Sequence, residues 1–333
     1  MAMTISSPLE YNVPDLYVDL QKSTGSSILL KCEGFNFAGS VKLKAALEII
    51  ESMEAASTLH SGQTIVESSS GNMGIALSIV AADKGYRFVC VTDVRCTSSA
   101  QKAMAALGAE VHVVTAGDEE RGFLGARLDY VNDLCAANSS YVWLNQYSNP
   151  ANWRSHYRHT GPQIAAAVPD LQVLFIGAGT TGTLMGCARY FREFKPSVKI
   201  VAIDAVGSVT FGSEPGRRLI PGLGTSVVPG ILDASYVDDV VLVAERRSIA
   251  MCRSLAQSGY LFGGSTGTVV QGALDWLAAE KSVSPSIAVA ISPDMGWNYT
   301  DTLYDDVWRD SAFPAMDLET DDLDILEPNG SRH

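Results

Sequence analysis

The stretch LQVLFIGAGTTGTLMGCARYFREF, residues 171–194, decides the fold. It begins with a run that is apolar at successive positions, so both of its faces are buried. Small residues follow, and then a helical stretch. A strand hidden on both faces belongs in a parallel sheet covered by helices. The same rhythm surrounds it. QTIVESSS (63–70) leads into NMGIALSIVAADKG (72–85), RFVCVTD (87–93) precedes SSAQKAMAALG (98–108), and EVHVVT (110–115) precedes a helical stretch near 119–137. Beyond it come KIVAIDA (199–205), DDVVLVA (238–244) with RSIAMCRSLAQSG (247–259), a helix from about 266, and SIAVAISPD (286–294). The expectation is an α/β protein of two open-sheet units joined near LNQYSNPANWRSHY, residues 144–157.

Bulk properties exclude several classes. The 333 residues are 47% hydrophobic and 18% charged, as in a globular protein with a sizeable core. A net charge of −13 argues against nucleic acid or an anionic membrane surface as main partner. No apolar run approaches the ~20 residues of a bilayer span. MAMTISSPLEYNVPDLY lacks the basic flank and apolar stretch of a signal peptide. Cysteines 32, 90, 96, 135, 187 and 252 are scattered without a CxxC pair and read as reduced core thiols of a cytoplasmic protein. His156 and His159 stand three apart with no further ligand in sight, which suits a structural or substrate-side role better than metal. The end of the chain, with six acids between 317 and 327, reads as a solvated tail or a partner contact.

Several polar loops open helices. In 177–183, Gly179, Thr180, Thr181, Gly182 and Thr183 offer backbone N–H groups and hydroxyls to an anion. ESSSGNMG (67–74) places Ser69, Ser70, Gly71, Asn72 and Met73 in a similar turn, and LFGGSTGTVV (261–270) does so with Ser265 and Thr266. PGLGTSVVP (221–229) is a glycine loop between prolines. In GFNFAGSVKLKAA (34–46), Ser40 reads as a helix N-cap, which puts Lys42 in the first turn. A cation there opposes the helix dipole at a cost of a few tenths of a kcal/mol, roughly. Either Lys42 snorkels into water or it is placed for chemistry. GAGTTG also fits GxGxxG, with Asp204 at a strand end 22 residues after Gly182, the dinucleotide-binding fingerprint. A nicotinamide oxidoreductase would explain that loop but neither Lys42 nor Asn72.

Taken in order from about residue 28 to 308, these segments resemble the fold-type II pyridoxal phosphate enzymes of the cysteine synthase group, with tryptophan synthase β-like architecture. The resemblance implies that NFAGSVK carries the Schiff-base lysine, Lys42. It implies that Ser70, Gly71 and Asn72 form the SGN loop, with Asn72 beside the ring oxygen, that Gly179–Thr183 hold the phosphate, and that Ser265 meets the pyridine nitrogen. NQYSNPANWRSHYRHTGPQI (145–164) puts Gln146 near the substrate carboxylate, together with the Ser69–Met73 loop. A closer likeness is to the siderophore-pathway synthases that join O-phosphoserine to glutamate, making a precursor of 2,3-diaminopropionate through an aminoacrylate. There Arg127 and Tyr147 fall at substrate-side positions, and Arg127, Arg217 and Arg218 are candidates for a donor phosphate. The implied organisation is a large cofactor-binding domain (1–38 plus 148–312), a smaller movable domain for the substrate carboxylate (39–147) and an acidic tail (313–333), in a homodimer. Cysteine synthesis from sulfide is the alternative within the family. The chain departs from the family at Phe37 (proline), KLK at 42–44 (K-D-R), DMGWNY at 294–299 (D-R-G-D-R-Y) and Gly179 (serine), and it lacks the N-terminal G-x-T-P turn. These departures bear on which substrates fit.

Overall fold

A computed structural model of the chain describes residues 4–280 and 287–314; the acids between 317 and 327 lie outside them. Among the described residues, ten strands form two sheets. β1 (Tyr17–Asp19), β2 (Ile28–Cys32), β7 (Val173–Gly177), β8 (Lys199–Ala205), β9 (Asp239–Val243) and β10 (Ala288–Ser292) make the larger, in the order β1-β2-β10-β7-β8-β9. β3 (Thr64–Ser68), β4 (Arg87–Asp93), β5 (Glu110–Val114) and β6 (Tyr141–Trp143) make the smaller, in the order β5-β4-β3-β6. Every neighbouring pair is parallel except β1 with β2.

Burial on both faces, read from the 171–194 stretch, is what the larger sheet shows. Val173, Phe175, Val201, Ile203, Ala288 and Ala290 pack into one core, while Leu174, Ile176, Ile200, Ala202, Val289 and Ile291 pack into another. Alternate residues of each strand thus feed opposite layers, as the pleat requires. The smaller sheet divides likewise, with Ile65, Phe88 and Cys90 on one side and Val66, Val89 and Val91 on the other.

β1, β2 and β6 were not foreseen. β1 and β6 have only three residues each, and β2 contains Lys31, which breaks the apolar run. Lys31 is nonetheless fully buried: it pairs with Glu33 at 3.3 Å and donates to the Pro14 carbonyl. The joining segment 144–157 leads into helical turns at Pro150–Ser155, His156–Thr160 (a π turn) and Gly161–Ala167. Ser40 is not the N-cap. The helix runs Lys42–Ala55 with Val41 in the cap position, and the Ser40 hydroxyl is buried without a partner among the described residues. Other helix starts differ by two or three residues, at Gly122, Glu245 and Gly264.

Parallel strands point their C-terminal ends one way. Glu33–Lys42 follow β2, Ser69–Asn72 follow β3, Gln146 follows β6, 178–183 follow β7, 206–232 follow β8 and 293–299 follow β10. Open α/β sheets bind ligands at this edge.

Candidate active site

The loops at these strand ends line one cavity. Lys42, Ser69, Ser70, Asn72, Met73, Arg127, Gln146, Tyr147, Gly179, Thr180, Thr181, Gly182, Thr183 and Ser265 all face it. Gly71 links Ser70 to Asn72 just behind the lining. These candidates therefore lie at, or one residue from, a single site.

Lys42 is the first residue of its helix, and the segment before it is pinned to the strand end after β10. Val41 N–H donates to the Pro293 carbonyl at 2.7 Å and Met295 N–H to the Gly39 carbonyl at 3.0 Å. Lys42 Nζ lies 3.5 Å from Thr180 Oγ1. Burial lowers its pKa to about 8, only partly opposed by the charges of Asp294 and Glu67. An amine that titrates so near neutrality can act as nucleophile and as base.

The turn across from Lys42 is built to receive an anion. Thr181 takes a left-handed backbone, φ 64°, which costs a β-branched residue roughly 1–3 kcal/mol and marks an imposed conformation. The helix Gly182–Phe194 begins there, and its first intrahelical bond runs from Met185 N–H to the Thr181 carbonyl. The N–H groups of Gly182, Thr183 and Leu184 precede that bond at the positive end of the helix. Thr181 Oγ1 is buried with no partner among the described residues. Glycine is obligatory at two points. A Cβ on Gly179 would strike the Gly222 carbonyl, and one on Gly182 the Asn152 side-chain oxygen. These groups suit a phosphate.

Asn152, which the sequence reading quoted without a role, joins the two sheets. Its Nδ2 donates to the Gln146 carbonyl at 2.7 Å and to Thr180 Oγ1 at 3.0 Å. Gln146 in turn gives its N–H to Glu67 at 3.0 Å and its side-chain amide to the Ser68 carbonyl at 2.8 Å. Glu67 also accepts from Ser68 N–H and Trp143 Nε1. Burial pushes its carboxyl up to about 7 in spite of these donors. Ser69 Oγ accepts the N–H groups of Gly71 and Gly74, shaping the turn that exposes Ser70 and Asn72.

Asp294 went unread because its partners are remote in sequence. Wholly buried, it accepts from Tyr299 OH at 2.8 Å, Asn72 Nδ2 at 3.2 Å and Thr266 Oγ1 at 3.1 Å. It fixes Asn72 and the start of the Ser265 helix together, and burial raises its pKa.

Arginines also line the cavity. Arg127 is buried, with Nε 3.2 Å from Asp93, and Arg95 binds the same carboxylate through Nε and Nη2, both at 2.9 Å. Arg95 and Arg218 also line the cavity, whereas Arg217 is exposed and does not. Arg95 was missed; its only sequence signal was a cation just past a strand end. Asp204 is fully buried, and its Oδ1 accepts the Ala205 N–H at 2.8 Å, so it closes its own strand.

Comparison with known proteins places this geometry. The family model described as pyridoxal-phosphate dependent enzyme matches residues 10–294. N-(2-amino-2-carboxyethyl)-L-glutamate synthase of Ralstonia nicotianae is 40% identical over 285 residues, 85% of this chain and 84% of that protein. The protein of the same name from Cupriavidus metallidurans is 37% identical over 286 residues, again 85% and 84%. A crystal structure of a variant of O-ureido-L-serine synthase, bound to O-ureido-L-serine, superimposes with TM-score 0.84 at 32% identity, covering 93% of this chain and 99% of that one. The nicotinamide reading is thereby overturned. With a half-buried lysine facing an anion-binding turn across the strand ends, the chain belongs to the pyridoxal-phosphate dependent enzymes, and among them to the β-replacing transferases.

Proposed function

We propose that the protein replaces the β-substituent of an activated L-serine, O-phospho-L-serine in preference, with the amine of an amino acid such as L-glutamate. The product would be a precursor of 2,3-diaminopropionate. The observation that carries this reading is one cavity lined both by Lys42 and by Arg127, Arg95 and Arg218. Lys42 suits a covalent cofactor, and the arginines suit strongly anionic substrates. The two relatives bearing the glutamate synthase name support the choice of substrates.

In this reading Lys42 holds the aldehyde carbon of the cofactor, the Gly179–Thr183 turn its phosphate, Asn72 its ring oxygen and Ser265 its pyridine nitrogen. When bound, pyridoxal phosphate supplies an electron sink for the α-carbon of the substrate. The rest belongs to the protein. Lys42 Nζ, with its pKa near 8, takes the α-proton and later returns it. The Ser265 hydroxyl is a neutral partner and does not force protonation of the ring nitrogen, which favours loss of the β-substituent over racemisation. The Ser69–Met73 turn, with Gln146, receives the substrate carboxylate. Arg127 and Tyr147 face the leaving phosphate.

Residues 39–147 form the smaller domain in this proposal, closing over the substrate against the body formed by 1–38 and 148–312 to exclude water. The family resemblance also supports a homodimer acting in the cytoplasm, in siderophore or related secondary metabolism.

The deciding experiment incubates the enzyme with O-phospho-L-serine or O-acetyl-L-serine, with and without L-glutamate, L-aspartate and sulfide, and identifies products by mass. A glutamate adduct from phosphoserine is expected. Cysteine from sulfide, with no amino-acid adduct, would return the cysteine synthase alternative. Lys42→Ala should lose the visible absorbance of the bound cofactor; an unchanged spectrum and rate would refute the assignment of the lysine.

A further inference from the structure

The three arginines of the cavity are not equivalent. Arg95 and Arg127 converge on Asp93, so part of their charge is already answered. Arg218 is not answered in this way. Like those of Arg127, its Nε and Nη1 are buried without a hydrogen-bond partner, but among the described residues no carboxylate lies at ion-pair distance from Arg218. Two acids stand near, and neither is at ion-pair distance. Glu245 accepts the N–H groups of Leu219 and Ile220 at 2.6–2.9 Å, and Asp204 accepts that of Ala205 through Oδ1 while its Oδ2 is buried without a partner among the described residues. A half-buried guanidinium with two nitrogens withdrawn from water and no carboxylate paired to it is costly, which points to a ligand that supplies one.

Its position separates it from the donor's groups. Arg127, Tyr147, the Ser69–Met73 turn and Gln146 all belong to elements at or following strands of the smaller sheet. Arg218 comes from the facing wall, on the connection between β8 and β9. That connection runs from Arg218 through Gly222, which abuts both Gly179 and Ser265, to Gly224, where an added Cβ would meet the arginine. Ser226 Oγ donates to the Arg121 carbonyl at 2.8 Å, tying this wall to the helix that carries Arg127. When phosphate leaves the first half-reaction, the cavity regains uncompensated positive charge. A dicarboxylic amino acid brings negative charge back as its amine approaches the β-carbon.

We propose that Arg218 pairs with the distal carboxylate of the incoming amino acid and so selects a dicarboxylic nucleophile, while Arg127 and Tyr147 serve the donor. This assignment rests on the β-replacement reading above. Its test uses the cofactor-loaded enzyme and the variants R218Q and R218K. The KM for L-glutamate should rise about 10- to 100-fold in R218Q, the loss expected for a charge-assisted hydrogen bond. R218K, which keeps the charge without the planar fork, should fall between R218Q and wild type. L-Glutamine, which lacks the distal charge, should lose much less, and the absorbance change on adding O-phospho-L-serine alone should keep its rate and amplitude. An unchanged glutamate KM in R218Q would overturn the assignment. So would a donor-only absorbance change that weakens in step with glutamate use, because Arg218 would then belong to the phosphate. Wild-type enzyme that shows no absorbance change with any activated serine would overturn the parent reading, and this one with it.

Discussion

Replacing Lys42 by methionine should stabilise the cofactor-free protein, although it removes the residue on which activity depends. The site lowers the pKa of the ammonium from 10.5 to about 8, chiefly by burial. Each pH unit of that difference is worth ~1.4 kcal/mol, so the charged form costs the folded state about 3 kcal/mol. The pH window follows from the direction of the shift. Below pH 8 both folded and unfolded chains hold the proton, and the whole penalty applies. Between 8 and 10.5 the folded chain gives up its proton first, so wild-type stability climbs with pH. Above 10.5 neither state is charged and the penalty is gone. Methionine has nearly the same length and nothing to titrate. Urea denaturation of cofactor-free wild type and Lys42→Met at pH 7 should show the variant ahead by about 3 kcal/mol. The gap should close as the pH approaches 10.5. Equal stabilities at pH 7, or a gap that ignores pH, would refute the claim that burial of this amine is what prepares it for chemistry.

Gly182→Ala should force the Asn152 side chain away from the Gln146 carbonyl and Thr180 Oγ1, weakening cofactor binding about 10-fold or more; absorbance titration of cofactor into the variant measures it, and full occupancy at the wild-type affinity would count against the bridge. Glu67, with its carboxyl raised from 4.5 to about 7, contributes stability that is fully present below pH 4.5 and lost as pH rises through 7, about 3 kcal/mol in all. Glu67→Gln should flatten that part of the stability profile, and a slope equal to the wild type's would show that this carboxyl is not its source.

The sequence was most legible where one local pattern carried the information. A doubly apolar run, a small-residue turn and a helix suffice to specify strand, anion bed and covering helix, so β7 and the Gly179–Thr183 turn were read from residues 171–194 alone. Lys42, Asn72 and Ser265 were legible as polar residues at helix starts. What escaped depended on distant partners. Lys31 looks like a strand breaker until Glu33 and the Pro14 carbonyl are brought to it. Asp294 has no local signal, because Asn72 and Thr266 reach it from far along the chain. Arg217 and Arg218 are indistinguishable as neighbours in sequence, and only the path of the loop turns one inward and the other to solvent. The reading of Ser40 as an N-cap failed because bonds from its neighbours to 293–295 hold that backbone.

The order of strands in the larger sheet bears on how the enzyme is made. β10 lies between β2 and β7, near the middle of the sheet, yet it is the last of the described strands to be synthesised. Until it emerges, both neighbours offer open edges to stray pairing, and Val41 and Gly39 have no counterpart at 293–295. A nascent chain stopped before residue 288 can hold most of the fold's parts and still leave its reactive amine unaimed. Competence for cofactor capture therefore arrives late in translation and all at once, which makes such truncated chains clients for chaperones rather than slow enzymes.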